Sequence, residues 1–182
     1  MSRTTLTAIA ASVGVAFAAY AVADTMSKSQ YKSSKESIHS EYKSAEEGCE
    51  PLKANAKDIC MAEAKGKEKV ALAELSASYK PTSKSRYDVR MAKAEADYSV
   101  AREKCDDQEG NSKDVCVKEA KAARVAGEAD AKAQMKTVAA KHTASADKRD
   151  ANYAVAKEKC DALESAAKDS CISDAKARFG KS

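Results

Sequence analysis

Apolar and small residues recur in steps of four and three along much of this chain. Through Tyr87, Met91, Ala94, Tyr98, Ala101 and Cys105 the steps run 4-3-4-3-4. The same steps join Tyr31, Lys35, Ile38, Tyr42, Ala45 and Cys49, and again His142, Ala146, Arg149, Tyr153, Ala156 and Cys160, with the polar exceptions placed early in the arm. A stripe at that spacing occupies one face of an α-helix and turns its Tyr and Cys toward a partner helix. The chain carries no alternating pattern that would build an α/β sheet. The pattern therefore predicts an all-α fold of long, Ala-rich helices with coiled-coil-like packing.

Aligning Tyr42, Tyr98 and Tyr153 brings three segments into one register, Tyr-x6-Cys-x10-Cys-x3-Ala-Lys, which end at Ala64-Lys65, Ala120-Lys121 and Ala175-Lys176. Positions fixed at the same offsets in every copy mark one supersecondary unit used repeatedly, with a period of about 55 residues. The division that follows is a leader over residues 1–23 and helical hairpin units over 24–80, 81–141 and 142–182.

Helix ends support a turn between the paired cysteines. In the middle copy, Gly110 suits a left-handed residue closing one helix and Asn111 suits the N-cap of the next, with Asp114 favouring its positive end. Asn55 and Asp58 repeat that arrangement in the first copy, where Pro51 disturbs the incoming helix. The third copy reads Glu164-Ser165-Ala166-Ala167, without Gly or Pro; Ser165 is its only cap candidate, and a continuous helix is the alternative there. Pro81 with Thr82-Ser83 separates the first unit from the second, a break is expected near His142-Thr143-Ala144-Ser145, and the last helix should stop near Gly180.

A turn brings each cysteine pair onto facing helices. On one straight helix the two cysteines of a unit would stand roughly 16 Å apart, beyond the ~7 Å Cα limit for a bridge. All six cysteines follow the leader, an even number that fits a disulfide framework. The repeat selects Cys49–Cys60, Cys105–Cys116 and Cys160–Cys171. Each such bridge stabilises its hairpin by roughly 2–4 kcal/mol, mainly by restricting the unfolded chain.

Composition makes those bridges matter. The sequence has no Trp, and beyond the leader its only Phe is Phe179. A core of Ala, Val and Tyr buries little apolar surface at about 25 cal/mol per Å². Helix propensity from Ala, Lys, Glu and Arg and the cross-links have to supply the remainder. Tyr42, Tyr98 and Tyr153 are read as repeat-packing residues against the cysteines rather than a ligand-stacking surface.

At the N-terminus, Arg3 is the only charge before Asp24, and a run of small and apolar residues leads to Ala21-Val22-Ala23. This is a signal-peptide layout with a small-x-small cleavage site; an uncleaved membrane anchor is the alternative, the run being long enough for a ~30 Å hydrocarbon core. The formal net charge is +4, but Lys alternates with Glu and Asp instead of gathering into a single-sign patch. That argues against a nucleic-acid partner.

Chemistry-bearing motifs are sparse. Without a Cys-x-x-Cys pair, a thiol oxidoreductase or covalent haem site lacks its usual motif. His39 and His142 fall in different units, which disfavours zinc and a nucleophile–base pair alike. His142 takes the place of Tyr31 and Tyr87 and is read as a half-buried packing residue. No Gly-rich phosphate loop occurs. No enzyme activity, metal or cofactor is expected.

The Tyr…Cys…Lys-Asp-x-Cys…Ala-Lys units, as in Ala101-Arg102-Glu103-Lys104-Cys105 through Lys113-Asp114-Val115-Cys116 and Ala120-Lys121, resemble a group of small exported Gram-negative proteins often labelled TolA-like cell-envelope proteins. The resemblance covers nearly all of the chain after the leader. It implies an envelope location; the feature shared with TolA proper is an Ala/Lys/Glu-rich helical region. The expected function is a non-enzymatic periplasmic scaffold or interaction protein whose partner is a protein or another envelope component. The alternative is a binding module, such as a periplasmic stress chaperone or an inhibitor of an envelope-targeting enzyme, with a cleft lined by Tyr and Val. Both a compact bundle and an extended row of hairpins fit the pattern.

Overall fold

A computed structural model describes residues 26–181, so the expected leader and its Ala21-Val22-Ala23 site lie outside the described residues. Five helices follow one another: α1 (Lys28–Cys49), α2 (Ala54–Tyr79), α3 (Ser83–Cys105), α4 (Gly110–Cys160) and α5 (Ser165–Phe179). No strand occurs among the described residues.

Local chemistry explains several of the helix ends. Ser27 caps α1 and Thr82 caps α3, each in a reciprocal capping box with the side chain three residues on, Gln30 and Ser85. Gly180 ends α5 in the left-handed conformation, and Lys181 N–H returns to the Lys176 carbonyl.

The turns after α1, α3 and α4 are copies of one another. In each, the residue after the first cysteine donates its N–H three residues back, to Glu47, Glu103 or Glu158. Leu52, Gln108 and Leu163 then donate to the carbonyls of Cys49, Cys105 and Cys160. The next helix opens on a left-handed residue: Ala54 (φ 47°), Gly110 (φ 55°) or Ser165 (φ 49°).

This differs from the capping expected at Asn111, Asn55 and Ser165. The N-cap positions are Lys53, Glu109 and Glu164, none of which makes a side-chain cap hydrogen bond. A left-handed first residue reverses the chain in so few residues that the helix begins before Asn111 or Asn55 can cap it. Asn55 turns to its neighbour instead, donating through Nδ2 to the Glu103 carbonyl near the end of α3 at 2.8 Å. The third copy turns like the others.

Among the described residues each helix packs only against the helices before and after it in sequence. The result is an open row of antiparallel helices, not a closed bundle. Disulfides link α1 to α2, α3 to α4 and α4 to α5, with Cα–Cα separations of 5.7, 5.6 and 5.6 Å. The α2–α3 contact has no cross-link and relies on close approach: a Cβ on Gly66 would stand 2.9 Å from Ala96 Cβ.

The 51-residue α4, about 76 Å long, belongs to two hairpins. Its first half packs on α3 and its last part on α5. No break occurs at His142-Thr143-Ala144-Ser145, contrary to the expectation from the repeat. The sequence there holds neither Pro nor Gly, and a repeat of contact faces does not require a repeat of turns. His142 is exposed rather than half-buried, because α5 ends before it can reach that stretch.

The buried core is small and periodic. Cys49, Cys105 and Cys160 are essentially inaccessible, and Ala64, Ala120 and Ala175 accompany them, one of each in every copy. Leu75 and Ala131 complete the buried apolar set. The first cysteine and the alanine of each copy are thus the buried centres of the hairpins, while the shared tyrosine and second cysteine are half-buried and the shared lysine is exposed.

Candidate functional site

Every sequence-identified cysteine lies at a hairpin turn, bonded within its own unit as Cys49–Cys60, Cys105–Cys116 and Cys160–Cys171. Across each bridge stands an ion pair: Lys57 to Glu50 at 3.0 Å, Lys113 to Asp106 at 2.9 Å and Lys168 to Asp161 at 2.9 Å. Sequence reading missed these pairs. Their signal was available, an acid directly after the first cysteine and a lysine three residues before the second in every copy. In the third copy the hydrogen bond from Lys168, and then its charge, hold the Asp161 carboxyl below the ordinary aspartate range; the same bond raises the Lys168 ammonium.

Tyr42, Tyr98 and Tyr153 are half-buried on the faces turned to the next helix. The returning helix offers a different residue to each at an equivalent repeat position. Arg124 lies over Tyr98, its guanidinium carbon 4.5 Å from the ring centroid. Phe179 meets Tyr153 edge-on at 6.3 Å between centroids. Glu68 takes the corresponding place beside Tyr42, whose hydroxyl donates to Glu46; that hydrogen bond, with burial and the neighbouring carboxylates, pushes the phenol above the usual tyrosine range.

The residue three before each tyrosine completes the set. His39 Nδ1 is 3.1 Å from Glu68, while in the next copy Glu95 is 3.2 Å from Arg124. The same two repeat positions therefore carry base and acid in opposite order. In the third copy Phe179 cannot pair with Asp150, which instead meets Lys181 at 2.6 Å. Each hairpin has its own cross-helix chemistry on a shared frame.

Two open grooves flank the middle of the row. One, of about 490 Å³, passes between α1 and α3 over α2 and is lined by Tyr42, Met61 and Lys65 among others. The other, of about 810 Å³, runs between α2 and α3 over Val70, Ala71, Val100 and Ala101. Neither brings a histidine together with a nucleophile. Among the described residues no cluster of His, Cys, Asp and Glu is arranged to hold a metal ion, and no helix is long and apolar enough to cross a membrane.

Fold and site define an all-helical protein of repeated, disulfide-stapled hairpins. Comparison with protein-family models, curated proteins and solved structures returns no match.

Proposed function

We propose that the chain is a non-enzymatic helical scaffold of the periplasm, an interaction protein of the cell envelope of the TolA-like kind its repeats resemble. The observation that carries this reading is the stapled open row: helices contacting only their chain neighbours, held at three turns by disulfides. Such a row leaves charged helix faces exposed on both flanks, where a compact bundle would bury them. Disulfides form and persist in oxidising compartments, and the Ala21-Val22-Ala23 segment after an apolar run supports export to one.

Cell fractionation with thiol labelling tests the reading. The full chain expressed in a Gram-negative host is expected in the periplasmic fraction, resistant to alkylation until a reductant is added. Recovery from the cytosol with alkylatable cysteines would contradict it.

The second reading, a binding module, draws support from the groove beside Tyr42 and Met61. A stoichiometric complex with an unfolded envelope protein, weakened by Met61→Glu with helicity retained, would favour it over the scaffold.

A further inference from the structure

We propose that the protein forms a two-fold symmetric dimer through the α2–α3 groove, with α2 of one copy laid antiparallel on α3 of the other. The groove is lined by these two helices alone, and both contribute the same helical positions. Gly66, Val70 and Ala71 on α2 correspond to Ala96, Val100 and Ala101 on α3. A floor of such small side chains admits a second helix layer at close range.

The rim decides which partner fits. At corresponding positions α2 carries Glu63, Lys67 and Glu74 where α3 carries Lys93, Asp97 and Lys104. Charge is inverted at each of these positions. Within one chain, Lys93 meets Glu74 at 2.6 Å and Lys104 meets Glu63 at 3.9 Å, so each end of the groove has an acid on the α2 side and a base on the α3 side.

A second copy rotated about an axis along the groove brings its Glu63 over Lys104 and its Glu74 over Lys93, and the reciprocal contacts follow by symmetry. Rotation about an axis across the groove instead stacks α2 on α2 and α3 on α3. That arrangement sets Glu63 over Glu74 and Lys93 over Lys104, like charges whose juxtaposition is penalised. The surface therefore selects one orientation of its own copy. The groove spans about 18 Å of each helix between residues 63–74 and 93–104, and the two helices are together about 20 Å wide. They offer some ~700 Å² in total between copies, the small area of a weak, concentration-dependent contact.

Sedimentation velocity on the oxidised chain, combined with charge-reversal variants, tests the proposal. The wild type is expected to double its mass as concentration rises through the micromolar range. Glu63→Lys with Glu74→Lys makes both helices basic at these positions, and Lys93→Glu with Lys104→Glu makes both acidic; each double variant should lose the dimer. Mixed in equal amounts, the two variants should recover it, because α2 of one then faces α3 of the other with opposite charge. A wild type that stays monomeric, variants that self-associate as it does, or a mixture that stays monomeric would overturn the proposal. Hydrogen exchange on the wild type needs no variant: slowing with concentration over residues 63–74 and 93–104 supports the dimer, and its absence opposes it.

Discussion

Arg124 stacks on Tyr98 with its guanidinium carbon 4.5 Å from the ring centroid while Nη1 donates to Glu95 at 3.2 Å. One side chain thereby joins α3 to α4 through a cation–π contact and an ion pair. Its Nε is buried without a hydrogen-bond partner, a carboxylate oxygen of Glu128 lying 3.6 Å away. Arg124→Ala should lower stability by about 1–2 kcal/mol in chemical denaturation. Arg124→Lys should recover only part of that, since an ammonium lacks the planar fork that stacks and pairs together. Equal stability of all three proteins would show that the contact contributes nothing.

Ala54 and Ser165 hold a left-handed backbone where the middle copy has Gly110. For a residue with a Cβ this conformation costs roughly 1–2 kcal/mol. Ala54→Gly and Ser165→Gly should each raise stability, by up to about 1 kcal/mol after the added unfolded-state entropy of glycine. Gly110→Ala should lower it by a similar amount. Thermal melts of these single variants check the sign at each turn.

Alanine substitution should act in opposite directions at two helical glycines. Gly48 has no neighbouring atom within 4 Å of a built Cβ, so Gly48→Ala is expected to stabilise by about 0.5–1 kcal/mol through helix propensity. At Gly66 the new methyl would stand 2.9 Å from Ala96 Cβ on α3, and overpacking there should cost about 1–3 kcal/mol. Denaturant titration reads both. A gain at Gly66 would mean that α2 and α3 do not approach as described.

These turns and seams also mark how far the sequence could be read. The cysteine pairing was legible because turn signals between the paired cysteines place them on facing helices, as a straight helix could not, and the repeat singled out the within-unit choice. The thin core was legible too: the first Cys and the Ala common to the copies are buried. Gly110 was read as left-handed, as it is, but the capping roles given to Asn55, Asn111 and Ser165 were misread, since side-chain capping and a left-handed opening residue are competing ways to reverse a chain. Nothing at Ala54 or Ser165 advertises that conformation. The stretch around His142 was misread because one helix can serve two hairpins while the contact pattern simply continues along it. The opposite order of base and acid at His39/Glu68 and Glu95/Arg124 needed the helices placed side by side before it could be seen.

Asp161 and Lys168 give the third hairpin a defined response to pH. The Asp161 carboxyl is lowered by its hydrogen bond to Lys168, so its contribution is present above the unfolded aspartate pKa and lost as pH falls through the depressed folded value. The Lys168 ammonium is raised by the same bond; its contribution is present below the unfolded lysine pKa and lost as pH rises through the folded one. Both groups sustain the pair across the range between these limits. A carboxyl-carbon NMR titration should place Asp161 below the ordinary aspartate range, and Lys168→Ala should return it toward that range. An unchanged midpoint in the variant would remove the pair as the cause.

The stapled row of hairpins is tested most directly by non-reducing peptide mapping, with intact mass, of the full chain expressed in a Gram-negative host and recovered from its periplasm. The account predicts a mass beginning at Asp24, no free thiol, and only the Cys49–Cys60, Cys105–Cys116 and Cys160–Cys171 linked peptides. Free thiols, or linked peptides joining cysteines of different units, would contradict it.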